Sequence, residues 1–377
     1  MKRIFSIIAL LTLLIAATAA LTSAQDDTTD ELAFSASTDI GELSICHPED
    51  WSALRDPEGN ILVVDFDIEL PQEDWPEAPR IIRLFIGSLP LENEDLTASE
   101  LLVEVFELDS TQIEEIEQPD ESTLARFDTS QEDTSAYLYG TYLTDNVFAI
   151  GNILGPLALI SEQISQLEEV FTCSEISFTD FIPEDALTEI AAYDGITQSF
   201  TEQGFPQIGS ADAPVEITEI SSFACPACGQ FHSVVWPGLL DRIAAGEVRL
   251  TYVPMYSTGS VPNGRYAAEA ALCAADQGAF WPFHDALYNA QVFQSLAFLP
   301  ERISQGAEIL ELDMEAYQDC LDSDEKLSII DDAEVFGREM PGFTGTPTIV
   351  INGEKLEDWS PDRLNAAIDA AIADGGD

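Results

Sequence analysis

Two cysteines separated by two residues, Cys225 and Cys228, are the side chains in this sequence best suited to do chemistry. Their spacing allows both thiols to lie on one side of a helical turn, where they can form a disulfide or open one by exchange. A zinc site would use the same pair with His232, but zinc requires four ligands, and the sequence has neither a second Cys-x-x-Cys nor a paired His. We therefore expect no metal here. A purely structural disulfide is the other alternative.

The segments on either side of the pair would place it where a strand passes into a helix. Val215–Ile220 is rich in β-branched residues, and Gly229–Leu240 has helical character. Cys225 would then lie at the helix N-terminus, where backbone N–H groups and the helix dipole favour a thiolate over a thiol. A structural disulfide would not need this placement, which favours a redox-active pair.

Three motifs in the same order make residues from about Gly209 onward resemble the DsbA-like branch of the thioredoxin superfamily. This resemblance implies a thioredoxin-like α/β domain that exchanges thiols and disulfides and needs no cofactor beyond the redox-active disulfide. The motifs are the lead-in Gly209-Ser210 with Asp212-Ala213-Pro214, the pair Cys225-Pro226-Ala227-Cys228, and the loop Gly345-Thr346-Pro347-Thr348-Ile349-Val350-Ile351-Asn352-Gly353.

The resemblance also assigns roles to three further residues. Pro347 would follow a cis peptide bond and place the backbone of Thr346 beside the Cys225 sulfur; the alternative is an ordinary turn. Glu219, six residues before Cys225, matches a buried acid that accepts a proton during exchange; the alternative is a solvated strand residue. Burial would raise the pKa of this carboxyl.

The chain is long enough for two domains, each with its own core. Residues 1–24 have the basic start, apolar run and small residues of a signal peptide; an uncleaved membrane anchor is the alternative. We predict an acidic α+β domain of unknown role at 26–195, a linker at 196–214 and the thioredoxin-like domain at 215–377. A mainly helical insertion at about 262–340, which the DsbA-like branch also shows, would cap one side of the active site.

We predict that the first domain contains an antiparallel sheet with a packed helix. Leu43–His47, Ile61–Leu70, Ile81–Ile86 and Leu101–Leu108 are the strand candidates, and residues 137–142 and 146–150 would form a hairpin. Leu157–Phe171 has helical spacing. The opening segment Ser44–Trp51 and the closing helix with Cys173–Phe178 after it resemble the ends of PsbP-like α/β domains.

The six cysteines are an even number in a chain with an export signal, which suggests disulfides. We predict a bond between Cys46 and Cys173, near the two ends of the first domain, with two buried free thiols as the alternative. We predict a second bond between Cys273 and Cys320, on two helices of the insertion.

The charge is strongly unbalanced, with 70 acidic residues against 14 basic residues and a formal net charge of −56. Such a surface repels nucleic acid and anionic lipid headgroups, so we exclude both as partners. Bound Ca²⁺ is conceivable with so many carboxylates, but no EF-hand loop is present in the sequence.

Together these features indicate an extracytoplasmic thiol–disulfide oxidoreductase. We expect it to oxidise dithiols of exported proteins and to be reoxidised by a membrane redox partner. Because Ala227 stands where strongly oxidising members of the family carry a His, we expect a potential below about −120 mV. Reduction or isomerisation remains an alternative direction, and a non-enzymatic redox-sensing binding module is an alternative of another class.

Overall fold

A computed structural model of the chain describes residues 36–40, 43–55, 60–68, 76, 79–88, 96–118, 122–130, 134–144, 146–176 and 193–374. The chain divides into two compact units, one up to residue 179 and the other from residue 180 onward. The predicted signal peptide, residues 1–24, lies outside the described residues. None of the helices described between residues 36 and 374 has the length and apolar character needed to cross a bilayer.

The first unit contains antiparallel sheet, as predicted, but its described strands form two sheets where one was expected. One has three strands in the order β1-β2-β10 and the other has seven in the order β3-β4-β5-β9-β8-β7-β6. The strands are β1 (Ala36–Ile40), β2 (Leu43–His47), β3 (Ser52–Arg55), β4 (Ile61–Val64), β5 (Ile81–Ser88), β6 (Ile113–Glu117), β7 (Thr123–Asp128), β8 (Thr134–Thr144), β9 (Val147–Pro156) and β10 (Glu175–Ile176).

Helices cover both faces of the seven-stranded sheet. Alternate residues of β9 point to opposite faces, so Ile150 packs with the first helix and Ile153 packs with the helices that follow the sheet. The described helices of this unit are α1 (Ala98–Phe106), a 3-10 turn (Ser110–Gln112), α2 (Leu157–Leu167) and α3 (Val170–Cys173).

The prediction of a strand at Leu101–Leu108 was wrong, because this segment belongs mainly to α1. Thr97 caps the helix by accepting from the Glu100 N–H at 3.2 Å, and the Glu100 carboxylate accepts from the Thr97 N–H at 2.8 Å. This reciprocal capping box starts a helix whose buried residues recur at helical spacing. The Thr-x-x-Glu pattern predicts a helix start, but the mostly apolar run that follows it resembled a strand.

The second unit contains one six-stranded sheet in the order β11-β12-β14-β13-β15-β16, and β13 and β14 are its parallel pair. The segment predicted as a linker, residues 196–214, instead supplies β11 and β12, which pair antiparallel with each other and extend the sheet beyond β14. The strands are β11 (Gln198–Phe200), β12 (Pro206–Ile208), β13 (Val215–Ser221), β14 (Val248–Pro254), β15 (Thr348–Ile351) and β16 (Glu354–Lys355).

Most of the helices of this unit lie between β14 and β15, in agreement with the predicted helical insertion. Capping side chains define some of the helix starts. The Asp313 carboxylate, for example, accepts hydrogen bonds from two backbone N–H groups at the start of the helix that begins at Met314. The helices are α4 (Pro226–Val234), α5 (Trp236–Ala244), α6 (Gly264–Ala275), α7 (Phe280–Ala290), a 3-10 segment (Gln291–Leu296), α8 (Pro300–Ile309), α9 (Met314–Asp322), α10 (Leu327–Glu339) and α11 (Pro361–Asp374).

Each unit contains one disulfide, and both join the cysteines that the sequence analysis paired. Cys46 on β2 is bonded to Cys173 at the end of α3, at a sequence separation of 127. Cys273 on α6 is bonded to Cys320 on α9, with a separation of 47. Because the first bond closes the longer loop, it restricts the unfolded chain more strongly.

Replacing both Cys46 and Cys173 with Ser should destabilise the first unit by about 5 kcal/mol, the loop-entropy value for a closure of this length. The matched control is Cys273→Ser with Cys320→Ser, which should cost about 4 kcal/mol and act on the second unit. Hydrogen exchange resolved by peptide mass spectrometry would measure both effects. Unchanged protection of residues 43–176 in the first variant would contradict the prediction.

Candidate active site

Cys225 is the N-cap of α4, as the strand-to-helix reading predicted. β13 ends at Ser221, and Pro226 occupies the first helical turn, where its missing N–H leaves no hydrogen bond unmade. The Cys225 carbonyl accepts from the N–H groups of Cys228 at 3.0 Å and Gly229 at 3.1 Å. The sulfur is therefore held at the positive end of the helix dipole.

Cys225 and Cys228 are free thiols in the structure and differ in their acidity. A hydrogen bond from the Cys228 thiol, together with the N–H groups of Ala227 and Cys228, lowers the pKa of Cys225 to about 5, although partial burial acts in the opposite direction. Cys228 is completely buried, and the cost of burying a charge raises its pKa well above the usual value. At neutral pH the first sulfur is a thiolate and the second is a thiol.

Glu219 lies on β13 with only 1% of its surface exposed, so the alternative of a solvated strand residue is wrong. Burial raises the pKa of its carboxyl to about 7, while the nearby Ser221 hydroxyl lowers it in part. Its Oε2 atom has no hydrogen-bond partner. Glu219 and Ser221 are two residues apart on one strand and face the same side of the sheet, and Ser221 also lowers the pKa of Cys228.

A short chain of hydroxyl groups continues from Ser221 into the core. The Ser221 hydroxyl is 2.9 Å from the Tyr288 hydroxyl, which is 2.8 Å from the hydroxyl of Tyr252. All three residues are buried, and burial raises the pKa of both tyrosines well above the usual value. The side of the sheet that bears Glu219 and Ser221 is therefore lined by neutral hydroxyl groups.

Thr346 and Pro347 are joined by a cis peptide bond, and the Thr346 carbonyl lies 3.4 Å from the Cys225 sulfur. Only the protonated thiol can donate to this oxygen, whereas the Thr346 side chain lowers the pKa of Cys225. The Thr346 hydroxyl donates to the Thr258 hydroxyl at 2.7 Å. The loop that contains Pro347 is thus attached to a second loop, which follows β14.

That second loop, residues 256–261, is fastened to the residues just before Cys225. The Ala224 carbonyl accepts from the N–H groups of Ser260 at 2.9 Å and Val261 at 3.1 Å. Gly259 has a φ of +102°, and a side chain there would collide with the Ala224 carbonyl, so both conformation and space require glycine. The Glu334 carboxylate on α10 accepts from two N–H groups at the start of the loop.

Among the described residues, His232 does not lie close enough to the sulfurs of Cys225 and Cys228 to share a metal ion with them, as the zinc alternative requires. Its Nε2 donates to Asp285 at 2.9 Å, and His284 Nδ1 donates to the same carboxylate oxygen at 2.9 Å. The Tyr193 hydroxyl donates to the other oxygen at 2.5 Å. Burial alone would raise the pKa of Asp285, but the hydrogen bonds from the two histidines lower it below its usual value. His232 is thus fixed by a buried carboxylate.

The structure brings together the residues that the sequence analysis selected in this unit: Cys225, Cys228, Glu219 and the loop of Thr346 and Pro347. Sequence reasoning missed the contacts of Ser221, Thr258, Tyr288 and Gln291 around them. A signal existed for part of this group, because Asp285, Tyr288 and Gln291 recur every three residues along α7 and its end. No local pattern marked Thr258.

Comparison with known proteins gives matches that each cover less than half of the chain. The family model described as Thioredoxin matches residues 201–370. The Na(+)/H(+) antiporter NhaA 1 of Salinispora arenicola (strain CNS-205) is 32% identical over 166 residues, which are 44% of this chain and 24% of the antiporter. The probable disulfide bond formation protein D of Bacillus anthracis is 29% identical over 170 residues, covering 44% of this chain and 77% of that protein.

One solved structure among the matches is BdbD from Bacillus subtilis in its oxidised form. It is 24% identical with a TM-score of 0.42, and the match covers 48% of this chain and 99% of that chain. This chain spans only about a quarter of the length of the antiporter.

Iodoacetamide should modify the reduced protein at Cys225 and spare Cys228, because alkylation requires an accessible thiolate. The rate should rise with pH and be half-maximal near pH 5, the pKa of Cys225. Stopped reactions analysed by peptide mass spectrometry would give both the site and the rate, with Cys225→Ser as the unreactive control. A midpoint near the value of a free cysteine, about 8.5, would contradict the assignment.

Proposed function

We propose that this chain, whose residues 201–370 form a domain of the thioredoxin family, is a thiol–disulfide oxidoreductase acting on cysteine-containing proteins. The observation that carries the proposal is the asymmetry of the two cysteines. Cys225 has a pKa of about 5 at a helix N-terminus, whereas Cys228 is completely buried with a raised pKa. The name of the Bacillus anthracis relative, a probable disulfide bond formation protein, supports the same reaction class.

In the oxidising direction, the enzyme begins with a disulfide between Cys225 and Cys228. A substrate thiolate attacks the Cys225 sulfur, because Cys228 lies fully buried behind it. A bond forms between the substrate sulfur and Cys225, and the bond to Cys228 breaks. Cys228 leaves with the electron pair and takes up a proton, since its raised pKa disfavours a buried thiolate.

Glu219 is the group proposed to supply this proton. Its pKa of about 7 keeps a substantial fraction protonated at neutral pH, and it faces the same buried side of the sheet as Ser221. In the reverse reaction the carboxylate accepts the proton from Cys228. Buried carboxyl groups with a pKa near the working pH are suited to such transfers.

The second step releases the oxidised substrate. A second substrate thiolate attacks the substrate sulfur of the mixed disulfide, and Cys225 leaves as a thiolate. The low pKa of Cys225 makes it a good leaving group. The substrate loses two electrons and the cysteine pair gains them, so a further turnover requires an oxidant that accepts those electrons.

We infer that this oxidant is a membrane redox partner and that the substrates are exported proteins, because residues 1–24 have the pattern of a signal peptide. No cofactor other than the disulfide is needed for the exchange. Ala227 adds no donor side chain between the cysteines, so we propose a potential below the strongly oxidising value of about −120 mV. Reduction or isomerisation uses the same steps in other orders.

Replacing Cys228 with Ser should trap substrates, because the mixed disulfide on Cys225 can then no longer be resolved from within the enzyme. Expressed with its natural signal, this variant should carry disulfide-linked proteins that reductant releases and mass spectrometry identifies. Cys225→Ser should trap nothing and should lose dithiol-oxidation and insulin-reduction activity. Equal activity of Cys225→Ser and the parent would instead favour a non-enzymatic redox-sensing module.

Glu219→Gln should make the reduced protein more stable at pH 8, by up to about 3 kcal/mol, while slowing exchange. Burial raises the pKa of this carboxyl from 4.5 in the unfolded chain to about 7 in the folded protein. Above pH 4.5, folding therefore carries an increasing cost for burying the charged carboxylate, and the uncharged amide of Gln removes this cost. Urea unfolding and the pH dependence of dithiol oxidation would measure both effects. Glu216→Gln, at an exposed position of the same strand, is the control, and loss of stability in Glu219→Gln would contradict the buried-charge argument.

A further inference from the structure

One side of α7 and of the 3-10 segment after it carries three polar groups that reach the region of the redox pair. The Asp285 carboxylate accepts from His232 on α4, and the Tyr288 hydroxyl contacts Ser221 at the end of β13. Gln291, three residues further on, reaches the turn that contains Cys225. Residues three or four apart lie on the same side of a helix, so the spacing aligns these groups with consecutive parts of the active site.

The Gln291 side chain makes two hydrogen bonds to the backbone of this turn. Its Nε2 atom donates to the carbonyl of Phe223 at 2.6 Å and to the carbonyl of Cys225 at 3.1 Å. The Cys225 carbonyl already accepts from Cys228 and Gly229 within α4. The amide therefore joins Phe223, two residues before the N-cap, to the carbonyl of the N-cap residue Cys225, which is the first acceptor of the helix.

Gly229 leaves the space that the Gln291 side chain occupies. A methyl group at this position would collide with Gln291 Oε1, the end of a flexible side chain, and with no other residue's atoms at comparable range. The Gln291 side chain would have to move away, whereas the backbone of α4 could stay in place. The absence of a side chain immediately after Cys228 is thus a condition for the Gln291 contacts.

We propose that Gln291 is a positioning residue for the nucleophile: its amide holds the carbonyls of Phe223 and Cys225 and thereby fixes the Cys225 sulfur at the start of α4. This inference rests on the proposed function of the cysteine pair. The amide also offsets the partial negative charge of the Cys225 carbonyl, the peptide oxygen of the nucleophile itself. Because a negative dipole end near sulfur disfavours a thiolate, removing the amide makes the thiolate harder to form.

The test is the pKa of Cys225 in the reduced full-length protein, measured by thiolate absorbance at 240 nm together with the equilibrium constant for exchange with glutathione. Gln291→Ala should raise this pKa by about 0.5 to 1 unit and should make the reduced pair less favoured against glutathione. Gly229→Ala should shift both quantities in the same direction, since it displaces the Gln291 side chain. The double variant should resemble Gln291→Ala alone.

Gln318→Ala is the matched control, because Gln318 is an exposed residue of α9 whose amide contacts Asp322; it should leave both quantities unchanged. Thermal unfolding of every variant separates a loss of stability from a change in acidity. A Gln291→Ala protein that melts at lower temperature but keeps the parent pKa would overturn the positioning role alone. A parent protein without an acidic Cys225 would overturn the proposed function as well. Additive shifts in the double variant would overturn the link between Gly229 and Gln291.

Discussion

The chemistry of this protein depends on one interaction, that of the Cys225 sulfur with the donors at the start of α4: the Cys228 thiol and the N–H groups of Ala227 and Cys228. The N–H groups of the first turn point towards the start of the helix, which places them near the N-cap side chain. Pro226 occupies the first helical position and so fixes the residue at which the helix begins, which keeps Cys225 at the N-cap. The surrounding loops hold the same point: Ala224 is bonded to the loop after β14, and Thr346 lies against the sulfur.

The two cysteines differ because burial and hydrogen bonding act on them unequally. For Cys225, donors to the sulfur outweigh partial burial and the pKa falls to about 5; for Cys228, burial dominates and the pKa rises. The same balance explains Glu219, where burial with little hydrogen bonding raises the pKa to about 7. An ionised nucleophile thus lies in front of a protonated partner and an acid that is able to exchange its proton at neutral pH.

Sequence reasoning succeeded for the features that the types and spacing of the residues indicate. Nearby residues predict the Cys-x-x-Cys pair between a strand and a helix and also the helices of the insertion. The even number of cysteines and their positions along the chain predict both disulfide pairings. It failed at residues 101–108, where a strand-like and a helical pattern compete. It also failed where Gly and Pro residues obscure the short strands β11 and β12, because β12 forms by pairing with the distant β14 and β11 by pairing with β12. The contact between Gln291 and Cys225 joins residues 66 apart, and no local pattern specifies it.

The overall charge of the chain acts against the thiolate, and its magnitude explains why local donors must prevail. A formal net charge of −56 gives a potential that disfavours any additional anion. Charges on the exposed surface are screened over about 8 Å at physiological salt, whereas N–H groups in contact with the sulfur act within hydrogen-bond distance and are not screened by mobile ions. A pKa of about 5 for Cys225 therefore requires that the helix start be held rigidly, since loosening those donors would leave the unfavourable surface potential and the cost of burial unopposed. The acidic surface makes the fixing of this turn more important, not less.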